Sequence, residues 1–270
     1  MALTSDRPII WGAAAVVVGG AIALYLYAHR AHPPAVPAPA PVALSAPPAA
    51  PLASTPSIEH PVPTASAATS APPPLDQSDA SVQAALSGLS GAQGLQKLLA
   101  PENIIRNIVV TVDNLSKKKV APDKRPLKAT AGEFKTRGTG SELTISPENY
   151  ARYQPFIEVV KGIDTDQLVQ LYYRLYPLFQ SAYDDLGYPN SYFNDRLIAL
   201  IDHLLATPDV TGPVALVQPN VMYLYADPAL EALSAGQKTL IRMGPANEAV
   251  VKARLRELKG RLLAQPRPRT

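Results

Sequence analysis

The sequence predicts a mainly α-helical protein. A helical globular domain of about seven helices with a small β-hairpin is preceded by one transmembrane helix and a Pro/Ala-rich disordered spacer. Three observations predict this order. An uncharged run of twenty residues lies near the start, a long proline-rich stretch follows it, and leucine, isoleucine, valine and tyrosine then recur at helical spacing. Because the composition changes so sharply along the chain, its three parts belong to different structural classes.

The apolar run Ile9–Ala28 contains no charged side chain. A helix of about twenty residues, at roughly 1.5 Å per residue, crosses a hydrocarbon core of roughly 30 Å. We therefore predict a transmembrane helix over residues 9–28, which follows a short cytoplasmic stub at residues 1–8. A cleaved signal peptide is the alternative. Its apolar region is shorter and ends at a small-residue cleavage site, whereas this run continues into His29 and Arg30.

A line of small residues lies along one face of the predicted transmembrane helix. Ala15, Gly19 and Ala23 have the spacing that lets two such helices pack closely. We therefore expect a weak homodimer through this line, in addition to the contact of the span with the membrane.

Residues 29–75 form the predicted spacer, and residues 33–74 within it contain 14 prolines. Such a segment cannot form hydrogen-bonded ladders or bury a core, so we expect a semi-rigid, polyproline-rich connection. At about 3.1 Å per residue it would reach on the order of 130 Å. That reach suits a domain that binds an envelope protein or the cell-wall polymer, although a linker with no specific role is an equal alternative.

The composition also excludes several classes of site. The chain has no cysteine, which excludes disulfides, thiolate catalysis and cysteine-ligated zinc. A formal net charge of +3, with no dense basic stripe or recognised motif, does not favour a nucleic-acid partner. We expect no metal site because His203 is the only histidine of the domain, and no cofactor because no phosphate-binding glycine signature is present.

Residues 76–265 form the predicted domain, ahead of a disordered tail at 266–270. Its helices are predicted from caps, prolines and apolar stripes. They cover SDASVQAALSGL continuing into GLQKLL, PENIIRNIVVTVDNL, PENYARYQPFIEVV, DQLVQLYYRLYPLFQSAYDDL, the residues after LGYPNS, about Pro228–Met243, and Pro245–Leu263.

Some local patterns leave alternatives open. The β-branched run IVVTV could be a strand instead of part of a helix. Pro177 lies inside a helical pattern and should kink or split it. VALV and VMYLY flank QPN and predict the hairpin, while Ser116–Pro147 is predicted to be a loop. On the last helix the basic residues, including Lys252 and Arg254, are predicted to form a solvated face.

The stretch LGYPNSYFNDR contains most of the candidate functional residues. Gly187 predicts a left-handed helix end, Pro189 prevents the helix from resuming, and Asn190 or Ser191 could cap the next helix. Phe193 joins the apolar stripe of that helix. Four polar-tipped residues then remain without a structural explanation: Tyr192, Asn194, Asp195 and Arg196.

The candidate catalytic residues are Asp195, Arg196 and His203, which a hydrolase could use if another helix supplied a carboxylate to the same cleft. At 100° per residue, Arg196 and His203 border one side of the apolar stripe, and Asp195 and Asp202 lie on the far side. Structural ion pairing explains the same pattern.

The candidate binding residues are Tyr192, Asn194, Arg152 and Tyr153. They lie in an aromatic-rich region interleaved with arginines, which could line a groove for a sugar chain or a peptide. The alternative is that these tyrosines are core residues with their hydroxyls at the edge.

Long stretches of the domain resemble one family. TVDNL, PENYARYQPF, YPLFQSAYDDLGYPNSYFNDRLI, IDHLLATP and ADPALEALSAGQKTLIRMGPANEAVVKARLRE are similar to the bacterial domain of unknown function 3014 family, over nearly all of Leu75–Leu263. The resemblance implies a single-span envelope protein with a Pro/Ala-rich spacer. It implies no activity and identifies no functional residue.

The length of the stub and the resemblance together predict a single-pass protein of the bacterial inner membrane with a periplasmic domain. Since no catalytic constellation is complete, we expect a non-enzymatic binding or scaffold domain. An envelope hydrolase with its site near Tyr192–His203 is the alternative.

Overall fold

The computed structural model describes residues 58–63, 72–121 and 124–264. The stub at 1–8, the predicted transmembrane run with its line of small residues, the tail at 266–270 and most of the spacer lie outside the described residues. Within the described ranges, no helix is both long enough and apolar enough to cross a membrane.

The described residues form ten α-helices rather than about seven. They are α1 (Asp79–Ser87), α2 (Leu95–Leu98), α3 (Ile104–Asn114), α4 (Glu148–Ala151), α5 (Gln154–Gly162), α6 (Thr165–Asp185), α7 (Phe193–Leu205), α8 (Pro228–Ala232), α9 (Ala235–Met243) and α10 (Pro245–Leu263). Short 3-10 turns cover Leu75–Gln77 and Gly140–Glu142.

The higher helix count comes largely from start signals inside segments that were predicted as single helices. PENYARYQPFIEVV divides into α4 and α5, and Pro155 lies in the first turn of α5, where its missing N–H leaves no hydrogen bond unmade. The segment after Pro228 divides into α8 and α9. Ser234 caps α9 through a capping box with Gln237, which fixes a new helix start.

Two ambiguous runs are helical. α3 contains IVVTV and buries Ile104, Ile105 and Val109 on one stripe, which confirms the helix rather than the strand. α6 continues through Pro177 as one helix, so of the predicted kink or split the split does not occur. Its neighbours Tyr176, Leu178 and Phe179 are buried, and this packing holds the helix together across the proline.

The predicted hairpin is confirmed as β3 (Leu216–Val217) and β4 (Leu224–Tyr225), which pair in antiparallel fashion. A second antiparallel pair was missed in the region predicted as a loop, and consists of β1 (Thr136–Arg137) and β2 (Thr144–Ile145). Strands of two residues are too short to show an alternating pattern in a sequence.

The main core lies between α3, α6 and α7, with α1 and α2 packed on one side. A smaller cluster joins the hairpin to α9 through Val214, Leu216, Tyr225 and Ile241. Helix α10 packs against α5, α6, α7 and α9 and completes the domain.

The predicted solvated face of α10 is wrong at two basic positions. Lys252 is 4% exposed and forms ion pairs with Glu248, at 2.7 Å, and with Asp209, at 2.6 Å. Arg254 donates to the carbonyls of Val160, Lys161 and Ile163 and so caps the end of α5. The sequence pattern could not reveal either role, because both depend on the neighbours that the fold brings to α10.

Candidate functional site

The start of α7 is reached through a turn that explains most of the LGYPNSYFNDR stretch. Gly187 has φ of 107°, as predicted for a helix end. The predicted cap at Asn190 or Ser191 is wrong, since the N-cap residue is Tyr192 and no side chain caps this helix. Gln180 instead fixes the turn, because its amide oxygen accepts the Phe193 N–H at 3.0 Å and its amide nitrogen donates to the Ser191 carbonyl.

The first turn of α7 binds a piece of the predicted spacer. We call Ile58–Pro63 the docked segment, and Tyr192, Asn194 and Asp195 the α7 site. The sequence separation of 130 to 136 residues between the bonded groups means that only the folded domain brings them together.

Asp195 accepts two consecutive backbone N–H groups of the docked segment. The N–H of Glu59 donates to Oδ2 at 3.1 Å, and the N–H of His60 donates to Oδ1 at 2.7 Å. The His60 ring nitrogen Nδ1 also lies 3.0 Å from Oδ1, and the pair is an ion pair when the ring is protonated. A carboxylate that accepts several donors in this way makes charge-assisted hydrogen bonds, which are stronger than neutral ones.

Asn194 and Tyr192 complete the contact with the docked segment. The Asn194 amide nitrogen donates to the His60 carbonyl at 2.8 Å, and the Val62 N–H donates to the Tyr192 hydroxyl at 2.8 Å. Pro61 and Pro63 have no N–H to satisfy, and they occupy the positions between and after the bonded residues. The proline pattern of the segment therefore matches the donors that the α7 site uses.

The α7 site is held in place by a second layer of tyrosines. Tyr172 donates to Oδ1 of Asn194 at 3.0 Å, which turns the Asn194 amide nitrogen toward the docked segment. The Tyr176 hydroxyl accepts the Asn194 N–H at 3.3 Å and donates to Gln180. Burial raises the pKa of both Tyr172 and Tyr176, so both stay protonated donors well above neutral pH.

The aromatic rings form a continuous support beneath the site. The Tyr176 ring lies 5.6 Å from that of Tyr172 and 5.2 Å from that of Tyr192, and Phe179 stacks on Phe193 at 5.5 Å. Such contacts restrict the Tyr192 ring and hold its hydroxyl where Val62 meets it. Part of the aromatic cluster is therefore core, as the alternative interpretation predicted, while its edge forms the site.

The candidate catalytic residues do not meet. Arg196 donates through Nε to Oδ1 of buried Asp113 on α3 at 3.2 Å, and through its guanidinium to the Ser116 hydroxyl at 2.7 Å. His203 lies at the other end of α7, where its Nε2 is 2.9 Å from the Ser234 hydroxyl. Thus Asp195 binds the docked segment, Arg196 joins α7 to α3, and His203 joins α7 to the start of α9.

The other polar candidates also have separate partners. Asp202 pairs with Lys259 of α10 at 2.5 Å and makes no triad with His203. Arg152 donates to the carbonyls of Ala131 and Gly132 and to the Thr130 hydroxyl. These hydrogen bonds hold the loop before β1 against α4. Burial raises the pKa of Tyr153, which lies at the α4–α5 junction. Neither Arg152 nor Tyr153 is part of the α7 site.

Among residues 58–63, 72–121 and 124–264, no group of three or more histidine, aspartate or glutamate side chains could hold a metal ion. The buried carboxylates have protein partners instead, such as Asp113 with Arg196 and Lys117. The chemistry available at the α7 site is hydrogen bonding to the backbone of a peptide segment, with one carboxylate as the charged group.

Comparison with known proteins adds the family. A family model described as a protein of unknown function (DUF3014) matches residues 104–259. The chain belongs to this family. No curated protein and no solved structure matches it. The region matched by the DUF3014 model contains Tyr192, Asn194 and Asp195, whereas the docked segment lies before it.

In this DUF3014 chain, the residues of the α7 site are candidates from the sequence, whereas the docked segment and the supporting tyrosines are found only in the structure. One signal was present, since Glu59 and His60 are the only charged or imidazole side chains between residues 33 and 74. A polar pair in an otherwise featureless spacer indicates a specific contact. Tyr172 and Tyr176 had no such signal, because their spacing is that of core residues.

Proposed function

We propose that this chain is a single-pass envelope protein whose helical domain is a non-enzymatic binding or scaffold module, displayed in the periplasm on its spacer. The observation that carries the proposal is the set of hydrogen bonds by which the α7 site holds Glu59, His60 and Val62. A domain whose side chains bind the backbone of one polypeptide segment in this way can bind the backbone of another.

The burial of the site supports a binding role. Asn194 is 1% exposed, yet its amide nitrogen points to the docked segment and its oxygen to Tyr172. A buried amide without partners costs roughly 1 to 3 kcal/mol, and a peptide carbonyl that accepts from the Asn194 amide nitrogen removes that cost. The α7 site is therefore preorganised for a backbone.

The hydrolase alternative requires Asp195, Arg196 and His203 to share a cleft. Each of the three instead bonds to a different part of the molecule. A general acid or base has to reach the reacting group within hydrogen-bond distance, directly or through one water. The separation of these partners favours the binding module over the hydrolase.

The binding proposal is tested by photo-crosslinking in membranes with purified cell wall included. A photoreactive residue at exposed Ser191, beside the α7 site, is expected to capture an envelope polypeptide. The same residue at exposed Ala253 on α10 is the control and should not capture it. Adding Tyr192→Phe should reduce capture from position 191 at least severalfold. Equal capture from both positions, or release of soluble wall fragments by the protein, would contradict the proposal.

The proposed location has its own test, because the chain contains no cysteine. A single Ala253→Cys substitution places one thiol on the exposed face of α10. A membrane-impermeant thiol reagent should label it in cells whose inner membrane is intact and whose outer layer is permeable. Labelling that occurs only after the inner membrane is broken would place the domain in the cytoplasm.

A further inference from the structure

We propose that the α7 site recognises a peptide of the pattern x-His-Pro-apolar, and that the docked segment is the chain's own competitor for this ligand. The inference rests on the binding function proposed above. It names the ligand class and the means by which the site is kept closed.

The backbone part of the pattern follows from the donors and acceptors that the α7 site uses. Glu59, His60 and Val62 each donate an N–H, and His60 also contributes its carbonyl. A ligand therefore needs non-proline residues at these three positions. Proline fits between the second and the third, where the site has no acceptor to satisfy, and its fixed φ reduces the entropy lost on binding.

The side-chain part of the pattern follows from His60 and Val62. The stretches AAPL and STPS of the same spacer offer the same backbone groups, but neither contains histidine. The His60 ring adds the contact with Asp195, and Val62 packs against the main core cluster. The His60 ring distinguishes Glu59–Val62 from AAPL, whose fourth residue is also apolar, and both side chains distinguish it from STPS.

The segment competes well because it is part of the same chain. Only residues 64–71 separate the docked segment from the described start of the domain at Pro72. A short connection of this kind gives an effective concentration in the millimolar range. An external peptide with an intrinsic Kd near 1 μM would then bind about 10³-fold more weakly to the closed chain. A partner must therefore present several copies, a high local concentration or a better sequence.

The test uses a fluorescent peptide with the sequence SIEHPVPT, measured by anisotropy against the full-length chain in detergent. In the opened variant, Glu59→Pro with His60→Pro removes both N–H groups that Asp195 accepts, within a spacer that already tolerates proline. The peptide should bind the opened variant at least tenfold more tightly than the unaltered chain. Ala49→Pro with Ala50→Pro is the matched control, since it adds two prolines before Pro51 in the stretch AAPL outside the docked segment, and it should behave as the unaltered chain.

Two further arms test the pattern with the opened variant. The peptide SIEHPPPT lacks the N–H that Tyr192 accepts, and SIEAPVPT lacks the ring that meets Asp195. Both should bind at least severalfold more weakly than SIEHPVPT. Adding Tyr192→Phe to the opened variant should weaken SIEHPVPT but change SIEHPPPT little, a result that a general loss of folding would not produce.

The outcomes separate this inference from the proposed function. Equal affinity of SIEHPVPT for the opened and unaltered chains overturns the competition. If the opened variant crosslinks envelope polypeptides from position 191 yet does not bind SIEHPVPT, the binding function stands and the ligand pattern is wrong. If neither the peptide nor any polypeptide binds, both proposals are wrong.

Discussion

Two asparagines of the LGYPNSYFNDR stretch differ widely in burial. Asn194 is almost fully buried, and each end of its amide group has a protein partner. Asn190 lies four residues earlier in the same stretch and is exposed. Since the two asparagines share chemistry and region, they form a natural pair for comparing a buried site residue with a turn residue.

We expect Asn194→Asp to lower the free energy of unfolding by about 1 to 3 kcal/mol. The carboxylate loses the donor to His60 and introduces a charge next to Asp195 in a buried position. Asn190→Asp should change the free energy of unfolding by no more than about 0.5 kcal/mol. Urea unfolding of both variants measures the difference, and equal effects would mean that Asn194 is not engaged as described.

Lys252 shows how a residue that looks like surface charge can be buried. Burial alone would lower its pKa, but hydrogen bonds to Asp209 and Glu248 more than offset this and raise the pKa. Its ammonium also donates to the Thr207 carbonyl at 2.6 Å. The lysine thus connects α10 to the loop after α7.

Lys252→Met should cost about 3 to 5 kcal/mol of unfolding free energy, because it leaves the Glu248 carboxylate buried without its cation. Replacing both residues, as Glu248→Leu with Lys252→Met, removes the uncompensated charge. The double variant should recover most of that loss. A double variant as unstable as Lys252→Met alone would show that the lysine acts through its other contacts.

At the scale of elements, the close approach of backbones is as important as apolar burial. A Cβ at Gly162, the last residue of α5, would lie 2.6 Å from the Gly91 carbonyl oxygen in the loop between α1 and α2. No side chain fits between these two segments. Gly260 on α10 is the opposite case, because a methyl group there would have no heavy atom within 4 Å apart from its chain neighbours and the adjacent backbone of its own helix.

Gly162→Ala is expected to lower the free energy of unfolding by about 1 to 3 kcal/mol, since the backbones have to move apart. Gly260→Ala should raise it by roughly 0.5 to 1 kcal/mol, because alanine is the better helix former. Thermal or urea unfolding of the two alanine variants checks both signs. If Gly162→Ala leaves the free energy of unfolding unchanged, the loop between α1 and α2 can move aside at little cost.

The elements that the sequence predicted well are those with local signals. Helix α10 has the predicted bounds Pro245–Leu263, and the Asp164 side chain caps α6 by accepting the Gln167 N–H. The α4–α5 division was missed because an apolar stripe continues across Arg152 and Tyr153. Strands β1 and β2 were missed because two residues carry no periodicity.

The candidate site was only half predictable for a related reason. Tyr192, Asn194 and Asp195 stood out because local structure left them unexplained. Their partner Ile58–Pro63 lies more than 130 residues away and has the composition of a spacer. The Glu59–His60 pair indicates that this stretch makes a specific contact, but the identity of its partner depends on how the helices pack.

At the scale of the whole molecule, buried tyrosine side chains determine how the free energy of unfolding changes at high pH. Burial raises the pKa of Tyr225 to about 12, and also raises those of Tyr172 and Tyr176. A tyrosine in the unfolded chain has a pKa near 10. These phenols therefore stabilise the fold fully below about pH 10, and that contribution is lost as the pH rises through the folded-state values.

We expect the free energy of unfolding to fall steeply above about pH 10, with tyrosinate absorbance appearing together with unfolding. Tyr225→Phe should make the fall shallower, although it also removes the hydrogen bond to the Lys238 carbonyl and lowers stability at neutral pH. Urea unfolding at several alkaline pH values gives the slope. Full tyrosinate absorbance in a chain that is still folded would contradict the buried positions.

The docked segment also links ligand binding at the α7 site to the free length of the predicted spacer. Part of the predicted spacer is bound to the domain, so the reach of the spacer depends on whether the α7 site is occupied by Glu59–Val62. Release of these residues from the α7 site would make the free part of the spacer longer, because the residues between Ile58 and the domain would then belong to it. Binding of a partner and extension of the spacer are then coupled.

Amide hydrogen exchange of the docked segment tests its binding to the α7 site most directly. In the unaltered chain, the amides of Glu59, His60 and Val62 should exchange more slowly than those of an unstructured peptide of the same sequence. Tyr192→Phe should remove the protection of Val62 first, and Asp195→Ala that of Glu59 and His60. Exchange at unstructured rates for all three amides in the unaltered chain would contradict the docking.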